Sequence, residues 1–135
     1  GGDPKDRLEL SIGNSMEEVM EISNGIYKFG KNRNISKETL HTLSLCIEEM
    51  AGNVVQHAFK AGEKRWLDLT IVDKPERLIV RIRDNGSPFD PVDHLKVGNK
   101  NEFGILMIHK RAEHMEYRRS MGLNNLIIHL GKNGK

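Results

Sequence analysis

Residues 78–90 read Leu78-Ile79-Val80-Arg81-Ile82-Arg83-Asp84-Asn85-Gly86-Ser87-Pro88-Phe89-Asp90, and the break inside this stretch decides the fold. Leu78, Val80 and Ile82 alternate with polar or solvent-tolerant neighbours, the pattern of a strand with one buried face. Upstream, Leu67, Leu69 and Ile71 alternate in the same way. Asp73-Lys74-Pro75-Glu76 between the two arms predicts a hairpin turn. After Arg83 the alternation stops in a dense turn cluster, Asp84-Asn85-Gly86-Ser87-Pro88, and periodicity does not return until about Ile105. A polar loop of that length in a small domain is usually functional or mobile.

Outward from the hairpin, the pattern becomes helical. Leu40, Leu43, Ile47, Met50, Val54 and Ala58 recur at three- and four-residue spacing and form one apolar face, with Ser36 as N-cap and Gly62 after the end. Gly52 inside that helix carries a propensity cost and predicts a close approach to the backbone. Ser15 caps an earlier helix that starts at Met16, with Glu17 and Glu18 in its first turn, and ends near Gly30. Leu8-Glu9-Leu10-Ser11-Ile12 alternates as a strand. Ile105, Ile108, Ala112 and Met115 predict a third helix. Met115 to Arg119 and Leu126 to Leu130 predict a closing strand pair around Gly122-Leu123-Asn124-Asn125. The order β-α-α-β-β-α-β-β implies an α/β (α+β) two-layer sandwich: about five strands, mixed but mostly antiparallel, with three helices on one face.

Composition bounds the function. With 135 residues, 37% hydrophobic and 30% charged, the chain has the size and make-up of one globular domain. Residues 1–6 read as a disordered start or an expression scar, and 7–132 as a single domain that could have been excised from something longer. The net charge of +2 from 21 basic and 19 acidic residues is too balanced to argue for nucleic acid or a membrane surface. Trp66 has no aromatic companions for base stacking. No apolar run is long enough to cross a bilayer. The one cysteine, Cys46, forms no internal disulfide and fits a reducing cytoplasm.

Three constellations carry chemistry. Glu49-x-x-x-Asn53-x-x-x-His57 forms a slanting stripe beside the apolar helix face, since residues four apart sit roughly 40° apart around the axis. A solvated helix surface carries such residues too. Asn is a mediocre helix former, though, and its side-chain oxygen is a hard ligand suited to Mg²⁺. A carboxylate one turn earlier can act as general base. In the turn cluster, Asp84 at a strand end can accept from an exocyclic amine, Gly86 lets a flat ligand approach the backbone, and Phe89 plugs the loop into the core. Alternatively the cluster is an ordinary Asn- and Gly-rich turn. Third, Asn101-Glu102-Phe103-Gly104-Ile105-Leu106 runs from loop into helix, where freed backbone N–H groups suit phosphate.

In this order and spacing the three resemble the boxes of the GHKL superfamily of ATPases. Within it the chain looks most like the bacterial anti-sigma-factor serine/threonine kinases. The match rests on the Glu-x-x-x-Asn box followed by His57-Ala58, the Gly86-x-Pro88-Phe89-Asp90 box, and the ending Asn124-Asn125-Leu126-Ile127-Ile128. It runs from about Leu8 to Leu130. The resemblance implies the Bergerat fold, binding of ATP with Mg²⁺, and phosphoryl transfer to a serine or threonine of an anti-sigma antagonist protein. By the same resemblance Glu49 is the general base and Asn53 the Mg²⁺ ligand. Asp84 binds the adenine amine with Gly86 beside the ring, and Pro88 and Phe89 belong to the same nucleotide-binding box. His57, Gly104 and Ile105 complete the nucleotide site, and Lys96 to Phe103 form a lid. Sigma factor and antagonist are the implied partners, with room for a homodimer. A regulatory module that binds nucleotide and sequesters a sigma factor with little turnover is the alternative. Two positions depart from the family: Glu102 stands where a glycine is usual, and Asn124-Asn125 where a small hydroxyl residue is usual.

Overall fold

The computed structural model describes residues 6–13, 15–31, 33–61, 64–96 and 103–132. Gly62, Glu102 and nearly all of the expected lid and flexible start lie outside the described residues. Along the chain run β1 (Arg7–Ile12), α1 (Met16–Gly30), α2 (Lys37–Ala61), β2 (Leu67–Asp73), β3 (Arg77–Asp84), α3 (Pro91–Lys96), α4 (Phe103–Arg111), β4 (His114–Ser120) and β5 (Leu123–Gly131). The short α3 was not anticipated, because Pro91-Val92-Asp93 follows a turn cluster and carries no helical apolar period.

The five strands form one sheet in the order β1-β2-β3-β5-β4. Each neighbouring pair is antiparallel, so the sheet has none of the parallel pairing that a mixed sheet would include. Side chains alternate across it: Leu67, Leu69, Ile71, Leu78, Val80, Ile82, Leu126, Ile128 and Leu130 are all buried. Their face is covered by Val19, Ile22 and Ile26 of α1, Leu43, Ile47, Met50 and Val54 of α2, and Ile105 and Ile108 of α4, all in one cluster. Each such side chain contributes about 1.5–3 kcal/mol relative to exposure. The other sheet face carries Arg81, Arg83, Asn125 and Ile127 around an open hollow.

Local chemistry sets the element ends. Ser15 accepts from Glu17 N at the start of α1, and Ser36 accepts from Thr39 N at the start of α2, so both expected caps form. The β2–β3 turn closes with Lys74 N donating to Arg77 O. The last hairpin is tighter than expected: Ser120 pairs with Leu123, leaving only Met121 and Gly122 as the turn, at φ 52° and 78°. Positive φ at both central residues is the turn that matches strand twist. Leu123, Asn124 and Asn125 therefore belong to β5. Met115, expected in the third helix, sits in β4 opposite Ile128, because α4 ends at Arg111.

Two glycines behave oppositely to their sequence reading. A Cβ at Gly52 would meet nothing within 4 Å, so the expected close approach is absent there. A Cβ at Gly104 would lie 2.5 Å from the carbonyl carbon of Leu45 and 2.6 Å from the nitrogen of Cys46. Gly104 thus lets α4 rest directly on the backbone of α2.

At the far end of the sheet Asp73 pairs with Arg33 and with Lys132, each at 2.9 Å. Burial alone would raise the Asp73 carboxyl, but hydrogen bonds and charge from Lys132 and Arg33 outweigh it and hold the group below its ordinary value. A depressed carboxylate stabilises the fold above its unfolded-state pKa, about 3.9, and that contribution is lost as pH falls through the folded value.

Two outcomes follow for stability. Gly104→Ala is expected to lower it by about 1–3 kcal/mol through overpacking, whereas Gly52→Ala raises it by about 0.5–1 kcal/mol. Urea denaturation of the two variants reads both, and equal effects would contradict the packing described. Asp73→Asn is expected to cost about 1–3 kcal/mol at neutral pH and progressively less below about pH 4. A constant difference down to pH 2.5 would remove the ion pairs from the account.

Candidate functional site

The long helix α2 crosses from the Asp73 end of the sheet to the end of β3, and its second half carries the polar stripe. Glu49 is half-buried and turned toward α4. Its Oε1 accepts from Gly104 N at 2.7 Å and its Oε2 from Ile105 N at 3.1 Å. A carboxylate on the first free N–H groups of a helix satisfies orphan donors and faces the positive end of the helix dipole. The amides expected to meet phosphate are thus held by Glu49. Ile105 is itself fully buried, a core residue whose site contribution is limited to its backbone. Glu48 points elsewhere, accepting from Ser23 Oγ of α1.

One turn beyond Glu49, Asn53 lines a small cavity with Asp84, Gly86, Phe89 and Asn124. Its Nδ2 is buried and has no hydrogen-bond partner among the described residues. An orphaned buried amide costs free energy, so its retention calls for a partner. His57 lies in α2 one turn further on, and its side chain is outside the described residues. Pro88 is exposed and does not line the cavity, while Phe89 is half-buried and does. The cavity measures about 10 Å³, room for one water. A purine enters only if a wall moves. Larger hollows of about 480 and 640 Å³ lie on the open sheet face and between the ends of α1 and α2, and neither gathers the motif residues.

Asp84 ends β3 and is 4% exposed. Its Oδ1 accepts from Gly86 N at 2.8 Å and from Asn124 Nδ2 at 2.9 Å. Burial pushes its carboxyl above the ordinary range, against the opposing pull of those two hydrogen bonds and of the Arg119 and Arg65 charges. Asn85 continues the ladder with its side chain, Oδ1 accepting from Trp66 N and Nδ2 donating to Lys64 O. The turn after Asp84 is held from the other side by Arg119, which donates to Gly86 O at 2.8 Å.

Asn124 is the residue that sequence reading missed as a site member. It faces Asp84 in register and is 3% exposed. The signal was visible only as a departure from the family pattern, and the Asn-Asn pair after a glycine reads as a turn. Tyr117 was missed too. Its hydroxyl donates to Asn124 Oδ1 at 2.6 Å.

The arrangement therefore joins a buried acceptor carboxylate, an unpartnered amide and a carboxylate-capped helix start within one end of the α2–β3–α4 layer. No helix among the described residues is long and apolar enough to cross a membrane. Comparison with known proteins bears on the fold and the family. A chain of the SiaB–SiaC complex from Pseudomonas aeruginosa shares the fold at a TM-score of 0.58 and 12% identity, over 95% of this chain and 92% of that one. The serine/threonine-protein kinase BtrW of Bordetella bronchiseptica is 27% identical over 95 residues, 64% of this chain and 67% of that protein. The model of the histidine kinase-like ATPase domain matches residues 14–130. The protein accordingly belongs to the histidine kinase-like ATPase family, within the GHKL group.

Proposed function

We propose that residues 7–132 act as one ATP-binding domain and that the protein is an anti-sigma-type serine/threonine kinase, transferring the γ-phosphate of ATP to a hydroxyl of an anti-sigma antagonist protein. One observation carries the reading. Asn53, whose Nδ2 has no partner among the described residues, and the buried Asp84 carboxylate line the same cavity, one turn of α2 from the Glu49 that caps α4. The likeness to BtrW, named a serine/threonine-protein kinase, supports the reaction class. A sigma factor, and a second copy of the chain, are further candidate partners, and the cytoplasm is the compartment this reading implies.

The residues fit a magnesium nucleotide. Asn53 offers a hard amide oxygen, and Mg²⁺ is characteristically held by one or two protein oxygens together with substrate phosphates. When bound, the ion supplies charge neutralisation to the phosphates. Asp84 accepts from an exocyclic amine, and Gly86 leaves the loop backbone bare beside it. Glu49 takes or orients the hydroxyl proton once it has left the α4 amides. An anionic ligand reaches those amides only by displacing it.

That engagement of Glu49 favours a second reading, a regulatory module that binds nucleotide and sequesters a sigma factor with little turnover. Calorimetric titration with ATP and Mg²⁺, followed by transfer assays on a small antagonist protein, separates the two.

Asn53→Ala is expected to weaken magnesium-dependent ATP binding by about ten- to a hundredfold while the unfolding midpoint stays put. Equal affinity in variant and wild type, with Mg²⁺ present, would sink the assignment. Glu49→Gln keeps one carbonyl oxygen toward α4 and removes the charge. A kinase then loses about 10²–10⁴ in transfer rate with ATP affinity retained. If wild type and variant transfer phosphate equally, or neither does, Glu49 is no general base.

A further inference from the structure

Asn124 uses its whole hydrogen-bonding capacity, and the orientation of its amide is settled by groups with fixed roles. Oδ1 accepts from the backbone N–H of Phe89 at 3.1 Å, and from Tyr117 Oη. Nδ2 faces two carbonyls, donating to Ser87 O at 2.8 Å and more weakly to Gly86 O at 3.4 Å, and to Asp84 Oδ1 at 2.9 Å. Reversing the amide would set an oxygen against three acceptors. A hydroxyl residue at this place has one hydrogen and can serve only one of Asp84 and Ser87. The two hydrogens of an amide serve both.

The consequence falls on Asp84. Its Oδ1 is saturated by Gly86 N and Asn124 Nδ2, and Oδ2 receives no hydrogen bond from the described residues. At the same time Ser87 and Phe89, which wall the cavity, are tied to β5 through the same side chain.

We infer that Asn124 is a positioning residue for ligand selectivity: it commits one oxygen of Asp84 to the protein, reserves the other for a donor group on a purine ring, and holds the wall of the slot in register with it. The selectivity part rests on the proposed nucleotide site. The positioning of the carboxylate does not. Asn124 touches no ligand in this account and acts through Asp84 and the Gly86–Phe89 turn.

Two variants test it, Asn124→Leu, which keeps the size and has no donor, and the gentler Tyr117→Phe, which removes one bond to the Asn124 amide and keeps the ring. The first readout needs no ligand. Removing the Asn124 donor takes away an interaction that favours the ionised form of Asp84, so its titration, followed by carboxyl carbon NMR, moves to higher pH in Asn124→Leu and less far in Tyr117→Phe. The second is the ratio of GTP to ATP dissociation constants with Mg²⁺. Loss of the reserved geometry lowers this ratio about tenfold in Asn124→Leu, whereas a merely structural residue weakens both nucleotides alike. An unchanged Asp84 titration in both variants overturns the inference. A shifted titration in a protein whose wild type binds neither nucleotide upholds the positioning and rejects the nucleotide site. A shifted titration with an unchanged ratio overturns the selectivity role. Should Asn124→Leu fail to fold, Tyr117→Phe carries both readouts.

Discussion

A carboxylate is buried at the end of β3, and the structure around the site follows from the need to satisfy it. Taking Asp84 out of water is costly unless hydrogen bonds compensate. The compensation comes from Gly86 N and Asn124 Nδ2. The second is available only because Asp84 and Asn124 are directly opposite across the β3–β5 pair. That register depends in turn on the two-residue turn at Met121 and Gly122. A slip of one residue would send Asn124 to the open face, along with Leu126, Ile128 and Leu130. The apolar core and the polar hub therefore demand the same register. Agreement between the two levels is what gives a sequence one strongly preferred pairing.

The helix layer is fixed to this sheet by a second close contact. Gly104 lays the start of α4 on the backbone of α2 at Leu45 and Cys46, where no side chain fits. Glu49, one turn along α2, then reaches the two leading amides of α4. Packing and capping reinforce each other here: the contact brings the amides within reach, and the carboxylate satisfies donors that would otherwise face a half-dry cleft. Asn53 follows on the next turn of α2, which is why the distance between helix start and cavity is set by α2 alone.

Sequence alone made the elements legible wherever one face is buried. The hairpin over Leu67 to Arg83, the long amphipathic helix and both serine caps are present as read. Legibility failed where polar residues are buried by design. Leu123-Asn124-Asn125 looks like a turn because Asn favours turns and Gly122 precedes it. In the fold its polarity is spent on Asp84 and the Ser87 carbonyl, contacts some forty residues away in sequence. Gly52 and Gly104 exchanged meanings for a related reason: a glycine's purpose lies in the neighbour it admits, and that neighbour is set by tertiary packing. Of the candidate site, the meeting of Asn53 with Asp84, Gly86 and Phe89 at one cavity was legible. The capture of Glu49 by α4 was not, since it depends on how two helices approach.

The α4 end of the site is satisfied by the protein's own carboxylate and the Asp84 end is nearly closed, and this bears on which ligands the proposed function admits. The cavity beside Asp84 holds about one water, and the α4 amides are taken by a carboxylate. Any ligand that opens the first without replacing Glu49 at the second gains only the base contacts. A ligand that carries an anion can reproduce the charge-assisted bonds it breaks, each of which contributes about 1.5–3 kcal/mol. The exchange at α4 is then close to neutral, and it releases Glu49 toward the cleft. A base and an anion joined at the right spacing pay one association cost for both contacts. Under the proposed function, a nearly closed cavity beside a carboxylate-capped helix thus discriminates against a bare nucleoside and against free phosphate alike. It also keeps the general base away from the cleft until the charged ligand has arrived.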